Sequence, residues 1–370
     1  MSRTKSLVVG PAPYVFRRQT TTSLMWTTAA TLLPAAAWAL YCFGRGAALP
    51  LLAATGAALA GEAIVAGLSR RFTLADGSAF LTGLLVGLAM PPGVPLYIPA
   101  AASLFAVVVV KGAFGGLGSN WMNPALAGIA FAILDWPREM SVRLAPRQLA
   151  SIGAVSGATP LGLLRDHLAS APAGSDPISL SAAGSVTPFD RGVTDALNQF
   201  LFAKLGADMP SGYVDILVGN RAGAIGEISG ILILAASIFL ISRKMLRWEI
   251  PASIIGCFAL LEWSLGGLPL GKGLFSGDAL FALLTGSFLL VAFFMATDPV
   301  TSPSRRGSRL AYGAGVGLLA FLFRIFGSRT EGSAFAVLIM NCLVPLLDRR
   351  GPPRRAPDGA EAGDGAGAEV

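Results

Sequence analysis

Long apolar runs with almost no charge dominate this chain. "LMWTTAATLLPAAAWALYCF" (Leu24–Phe43) and "FALLTGSFLLVAFFMA" (Phe281–Ala296) contain no Asp, Glu, Lys or Arg. A helix needs about 20 mostly apolar residues to cross the hydrocarbon of a bilayer. There, every backbone N–H and C=O must be satisfied within the protein, so only helices and closed barrels can span. Runs this long and unalternating fit helices. Of 370 residues, 54% are hydrophobic and 13% charged, roughly half the charged share of a soluble domain. The chain reads as an all-α integral membrane protein.

Ten candidate spans follow, at 22–43, 48–68, 77–91, 97–113, 121–136, 224–242, 248–266, 277–296, 308–326 and 332–348. The third ends at "AMPPGVP" and the fifth opens at "SNWMNPALAG". Such broken half-helices occur at membrane depth only where they are buried in protein or line a site. "DGSAFLTGLLVGLAMPPGVP" (Asp76–Pro95) resembles "SGDALFALLTGSFLLVAFFMATDPVTSP" (Ser276–Pro303), with Leu81-Thr82-Gly83 set against Leu284-Thr285-Gly286. Two halves of five helices must run with opposite topology, the inverted-repeat plan of many transporters.

Most of the 28 Lys and Arg residues fall in short clusters that lie on one side if the N-terminus is cytoplasmic, among them Arg70, Arg71, Lys111, Arg243, Lys244, Arg305, Arg306 and Arg350. By the positive-inside rule both termini are then cytoplasmic and the long loop 137–223 is periplasmic. The expected organisation is a cytoplasmic leader (1–21), a first five-helix repeat (22–136), the loop (137–223), a second repeat (224–348) and a disordered tail rich in Gly, Ala and acids (349–370).

The net charge of +7 does not form a single nucleic-acid-binding patch, because the basic residues are dispersed between apolar runs. The only histidine is His167, and Cys42, Cys257 and Cys342 are far apart. That inventory argues against a metal, haem or iron–sulfur centre ligated by this chain alone. There is no phosphate-binding glycine loop and no nucleophile elbow, so catalytic residues of a soluble-enzyme type are not expected.

Three constellations remain. The first is "VSGATPLGLL" (Val155–Leu164), the small polar stretch of the long loop. Thr159 before Pro160 is a favoured N-cap and N1 pair. Ser156, Gly157 and Ala158 leave its hydroxyl open to a large partner, and an attached anion would meet the free N–H groups of a helix start. Cap and attachment site share one geometry, and both readings stay open on local physics. The second is the pair of Pro breaks, "GGLGSNWMNPA" and "MATDPVTSP", which expose backbone near Asn120, Asn123, Thr297 and Asp298. They read equally as a polar-ring or ion site and as helix caps, at Asn123-Pro124 and Asp298-Pro299. The third is Glu62, the acid deepest in an apolar run. A carboxylate there is costly and marks a proton or cation path, or else a side chain hydrogen-bonded to a facing helix. Glu227, Glu249, Glu262 and Asp278 are the other acids in apolar segments. Trp26, Trp121, Trp136, Trp248 and Trp263 sit near span ends, as interface anchors do.

Several stretches together resemble one family: "TTTSLMWTTAATLLPA" (Thr20–Ala35), "FGGLGSNWMNPALAG" (Phe114–Gly128), "VSGATPLGLL", "GAIGEISG" (Gly223–Gly230), "FFMATDPVTSP" (Phe293–Pro303) and "EGSAFAVLIMNCLVPLLDR" (Glu331–Arg349). They are similar to the D-type membrane component of the Rnf electron-transport complexes and, more distantly, to the B-type component of the sodium-pumping NADH:quinone oxidoreductases. The resemblance implies an inner-membrane component of a complex that passes electrons between ferredoxin and NAD and moves Na⁺ or H⁺, active only with its membrane, iron–sulfur and FMN-bearing partners. It implies FMN esterified to Thr159 of the SGAT motif by a separate flavinyltransferase. It also implies a second, non-covalent riboflavin, for which Asn120 and Asn123 are the expected pocket. Arg165 is the expected partner of the FMN phosphate. One position departs from the family pattern: Gly153 stands where an acidic residue precedes the threonine by six. The repeat alone leaves another class open, a solute transporter or channel of the urea or ammonium type.

Overall fold

The computed structural model describes residues 20–70, 73–142, 144, 146, 160, 162, 164, 176–178, 186–200, 202–205, 208–327 and 332–349. Helix α1 (Thr21–Phe43) starts where Thr20 turns extended and its hydroxyl accepts from Ser23 N at 3.1 Å. Gly44, at φ 55°, ends α1 and leads directly into α2 (Arg45–Ser69), a hinge that suits a residue without Cβ. α3 (Ser78–Ala89) stops at the Pro91-Pro92 break, and α4 (Tyr97–Leu104) runs on as a π-helix over Phe105–Gly112. α5 (Pro124–Asp135) closes the first half.

Within the long loop lie α6 (Pro188–Phe200) and α7 (Tyr213–Val218). A 3₁₀ turn at Glu227–Ser229 then opens α8 (Gly230–Ser242). The rest is α9 (Glu249–Leu265), α10 (Ala279–Leu284), α11 (Phe288–Leu290, continued as a π-helix over Val291–Met295), α12 (Arg306–Phe326) and α13 (Gly332–Arg349).

Among the described residues, five helices are long and apolar enough to cross a membrane: α1, α2, Glu249–Leu270, α12 and α13. The protein is therefore a multi-pass membrane protein. The other expected spans are shorter apolar helices; α3 and α5, at 12 residues each, reach only about 18 Å. The shortening has local causes. Pro and Gly at 91–93 end α3, and the Gly-rich 115–118 separates the π-helix from α5, which begins at Pro124 rather than at 121.

Two sequence expectations need correction. The span expected at 277–296 is not one helix. Thr285 is extended (ψ 143°) and Gly286 has φ 75°, so Leu284-Thr285-Gly286 is a break, while Leu81-Thr82-Gly83 lies inside α3. The break is stable because its polar groups are met. Gly286 N donates to Glu227 Oε1 at 2.6 Å, and Arg324 donates to the carbonyls of Thr285 and Ala282. Asp298-Pro299, in turn, caps no helix. Asp298 organises a turn, accepting from Thr301 Oγ1 at 3.1 Å, and α12 starts at Arg306.

At the end carrying the long loop, segment 224–226 crosses the open end of α3: Ile225 N donates to Met90 O (3.0 Å) and Gly226 N to Leu88 O (2.6 Å). α6 and α7 are tied by two fully buried carboxylates. Asp190 accepts from Gly212 N and Asp215 N, and Asp215 accepts from Thr187 N and Oγ1 and from Asn220 Nδ2. Trp38 Nε1 reaches Val218 O at 2.9 Å, fixing this cap to α1. The core itself is helix on helix, with Leu32, Ile98, Leu126, Ile254 and Tyr312 fully enclosed. Trp26, Trp121, Trp248 and Trp263 are exposed near helix ends, as interface anchors are.

Candidate functional site: a polar cleft between the two helix breaks

At the end opposite the long loop, the breaks around 113–123 and 296–305 face one open cleft. Both π-helical stretches deliver residues to it, Lys111 from one and Phe293 and Phe294 from the other. π-helical geometry is rare and is frequently found at functional sites. The apolar walls include Leu24, Met25, Leu85 and Met245; the polar groups are few and specific.

Asn120 lines the cleft and is 7% exposed, and its Oδ1 has no hydrogen-bond partner. A buried amide oxygen left unpaired costs free energy, so it marks a place where a ligand or water completes the site. Asn123 is spoken for on both sides: Oδ1 caps α5 through Leu126 N (3.2 Å), and Nδ2 donates to Met295 O (2.9 Å). It welds one break to the other and forms part of the cleft floor with Pro124 and Ala125. Thr297 and Asp298 complete the rim. Burial raises the Asp298 carboxyl to about 6, against the lowering effect of its hydrogen bonds from Thr301 and the backbone of Val300 and Thr301.

Glu62 lies behind the cleft wall. It is 2% exposed, as is Lys111, and Lys111 Nζ stands 2.8 Å from its Oε2. Thr73 Oγ1 donates to the other oxygen. The ammonium also donates to Ser78 Oγ at 2.6 Å, and Ser78 donates in turn to Asp76. Lys111 and Ser78 both line the cleft. The deep acid of α2 is therefore an ion-pair partner, with its cation turned to the site. In the sequence, Lys111 reads only as a topology marker. The signal that could have found it is a lone lysine in the apolar run "FAVVVVKG" (Phe105–Gly112), matching a lone glutamate in a neighbouring run.

Ser156, Gly157, Ala158, Thr159 and Arg165, with Gly153, lie outside the described residues. Pro160, which follows Thr159, is described. It borders a small open pocket with Arg221, Gly223 and Glu227. Burial lowers the Arg221 guanidinium from its usual value, and the nearby Asp215 and Asp190 oppose that shift. Nothing in the sequence singles out Arg221, because its proximity to Pro160 arises only from the folding of the loop.

The sequence model of the NQR2, RnfD, RnfE family matches residues 8–356. The chain is 32% identical to the D-type component of the proton-translocating ferredoxin:NAD(+) oxidoreductase complex of Clostridium ljungdahlii, over 92% of its length and 93% of that protein's. It is 36% identical to the D-type component of the ion-translocating oxidoreductase complex of Shewanella amazonensis and 34% identical to that of Escherichia coli O127:H6, covering 94% of this chain and 97% of each relative. With one family matched over nearly its whole length, the chain belongs to the NQR2, RnfD, RnfE family.

Proposed function

We propose that this protein is the D-type membrane component of an Rnf-like complex, one that couples electron transfer between ferredoxin and NAD to movement of Na⁺ or H⁺, and that it works only within that complex. The observation that carries the reading is the cleft between the two breaks, whose lining fits a flavin. An isoalloxazine ring presents a flat apolar body and one polar edge of carbonyls and an N–H. The cleft presents apolar walls, an unpaired amide acceptor at Asn120 and a cationic donor at Lys111. When bound, a flavin supplies reversible electron transfer. This chain's residues would hold it: Asn120 accepts from the ring N–H, Asn123 keeps the two breaks together, and the Phe293–Phe294 side excludes water.

Thr159 is the proposed attachment point of covalent FMN, installed by a flavinyltransferase. In the sequence it follows the small residues Ser156, Gly157 and Ala158. Arg221, beside Pro160, is a cation for the phosphate in addition to Arg165. In this reading the protein lies in the bacterial inner membrane with both termini cytoplasmic, the cleft towards the cytoplasm and the loop in the periplasm. The two halves are an inverted repeat. In support, α4 packs between α2 and α5 in the first half, and α12 between α9 and α13 in the second. The solute-channel alternative draws nothing from the relatives described above, each named as part of an oxidoreductase complex.

In-gel flavin fluorescence tests the attachment. Chain co-expressed with a flavinyltransferase gives a fluorescent band under denaturing conditions, and Thr159→Ala removes it. A band that persists in that variant overturns the assignment of Thr159. Acid extraction then releases one further, non-covalent flavin, and Asn120→Leu lowers that yield.

A further inference from the structure

We propose that Lys111 is the counter-cation of the cleft, and that Glu62 sets how much of its charge a bound ring feels. The inference rests on the cleft being a flavin site and goes beyond it, to the electrostatic control of the ring.

An ammonium has three donors. Two are used, by Glu62 Oε2 at 2.8 Å and Ser78 Oγ at 2.6 Å, and the third has no partner among the described residues. Lys111 is 2% exposed, yet it lines the cleft, whereas Glu62 does not. A buried charge needs compensation on every side from which water is removed. Here the compensation is one-sided: Glu62 faces it directly and Asp76 acts through Ser78, while the cleft side is left for the occupant. Asp298, across the cleft, is the other titratable group on its rim.

A ring that takes up two electrons and one proton gains one negative charge. In a site of low polarity, a fixed cation at the wall stabilises that form over the oxidised one. A carboxylate behind the cation opposes it. The two residues, in direct contact, therefore act on the ring with opposite sign. Support of the fold alone would make both losses act alike.

The experiment uses the full-length chain, purified in detergent from cells without a flavinyltransferase and loaded with riboflavin. The midpoint potential of the bound riboflavin is read by spectroelectrochemistry. Lys111→Met is expected to lower the affinity for the reduced form relative to the oxidised one about tenfold, a fall of ~30 mV for a two-electron couple. Glu62→Gln is expected to shift the potential upward, and Lys111→Arg to stay near the wild-type value. Should Lys111→Met alone fail to fold, the double variant Lys111→Met/Glu62→Gln removes both charges together and is expected to lie below the wild type. Potentials that stay put, or that move the same way in the two single variants, overturn the proposal. Failure of the wild-type chain to bind riboflavin overturns the cleft assignment itself, and this inference with it.

Discussion

Lys111 Nζ and Glu62 Oε2 are 2.8 Å apart inside the helical core, on neighbouring elements 49 residues apart in sequence. Taking one member of such a pair away leaves an uncompensated buried charge, which costs about 3–5 kcal/mol, whereas taking both costs much less. Lys111→Met is therefore expected to lower the detergent-solubilised melting temperature sharply. Glu62→Gln, which keeps an acceptor for Thr73, is expected to lower it less, and the double variant to recover most of the loss. A double variant no more stable than Lys111→Met would show that the pair is not coupled.

Asp298 makes stability depend on pH in an unusual direction for an acid. Burial lifts its carboxyl from 3.8 to about 6 in the folded chain. Below both values, the folded and unfolded states carry the proton alike. Between them, the folded state holds a proton that the unfolded state has released. Raising the pH through the window from about 4 to about 6 therefore lowers stability. Asp298→Asn, whose amide oxygen still accepts from Thr301, is expected to flatten this part of the profile and to be the more stable protein at neutral pH. Melting curves of both proteins from mildly acid to neutral pH check it: parallel profiles would contradict the assigned burial.

The membrane class, the long spans and the two breaks were legible because they are written in local sequence: uncharged runs of helical length and Pro or Gly at their ends. Asn123 as a cap was legible for the same reason. Pairings between distant segments were not. Glu62 reads as an isolated acid until folding sets Lys111 beside it. Leu284-Thr285-Gly286 reads like its relative Leu81-Thr82-Gly83, yet one is a break whose polar groups Glu227 and Arg324 meet, while the other stays helical. Asp298-Pro299 carries a good capping signal, but its carboxylate is drawn into a turn with Thr301.

Glu227 shows how much one carboxylate can organise. Its Oε2 accepts from Ala224 N at 2.9 Å and its Oε1 from Gly286 N at 2.6 Å, so it closes its own turn and one side of the α10–α11 break together. Hydrogen bonds to a charged group contribute roughly 1.5–3 kcal/mol each. Glu227→Ala is expected to destabilise the protein by about 3 kcal/mol or more, and Glu227→Gln, which retains one acceptor oxygen, by less. Amide hydrogen exchange should locate the damage: faster exchange at Gly286 and Ala224 with α2 unaffected. Uniform loss of protection across the chain would point to a different role.

Gly317 lies where α12 meets α9. A Cβ built there would come within 2.7 Å of Ile254 O and 3.0 Å of Cys257 Cβ, and one at Gly313 within 2.8 Å of Ile250 O. Backbone atoms cannot rotate aside, so the helices themselves would have to separate. Close approach through small residues is a main source of helix association where no hydrophobic drive exists between apolar surfaces and lipid. Gly317→Val is therefore expected to cost about 3 kcal/mol or more and to loosen the α9–α12 contact, which leads at one end to the Glu262 and Arg324 region. Gly256, on α9, has open space around it. Gly256→Ala is expected to leave the melting temperature unchanged or to raise it slightly, because alanine favours the helix. Equal losses in the two variants would show that close helix approach is not what holds this seam.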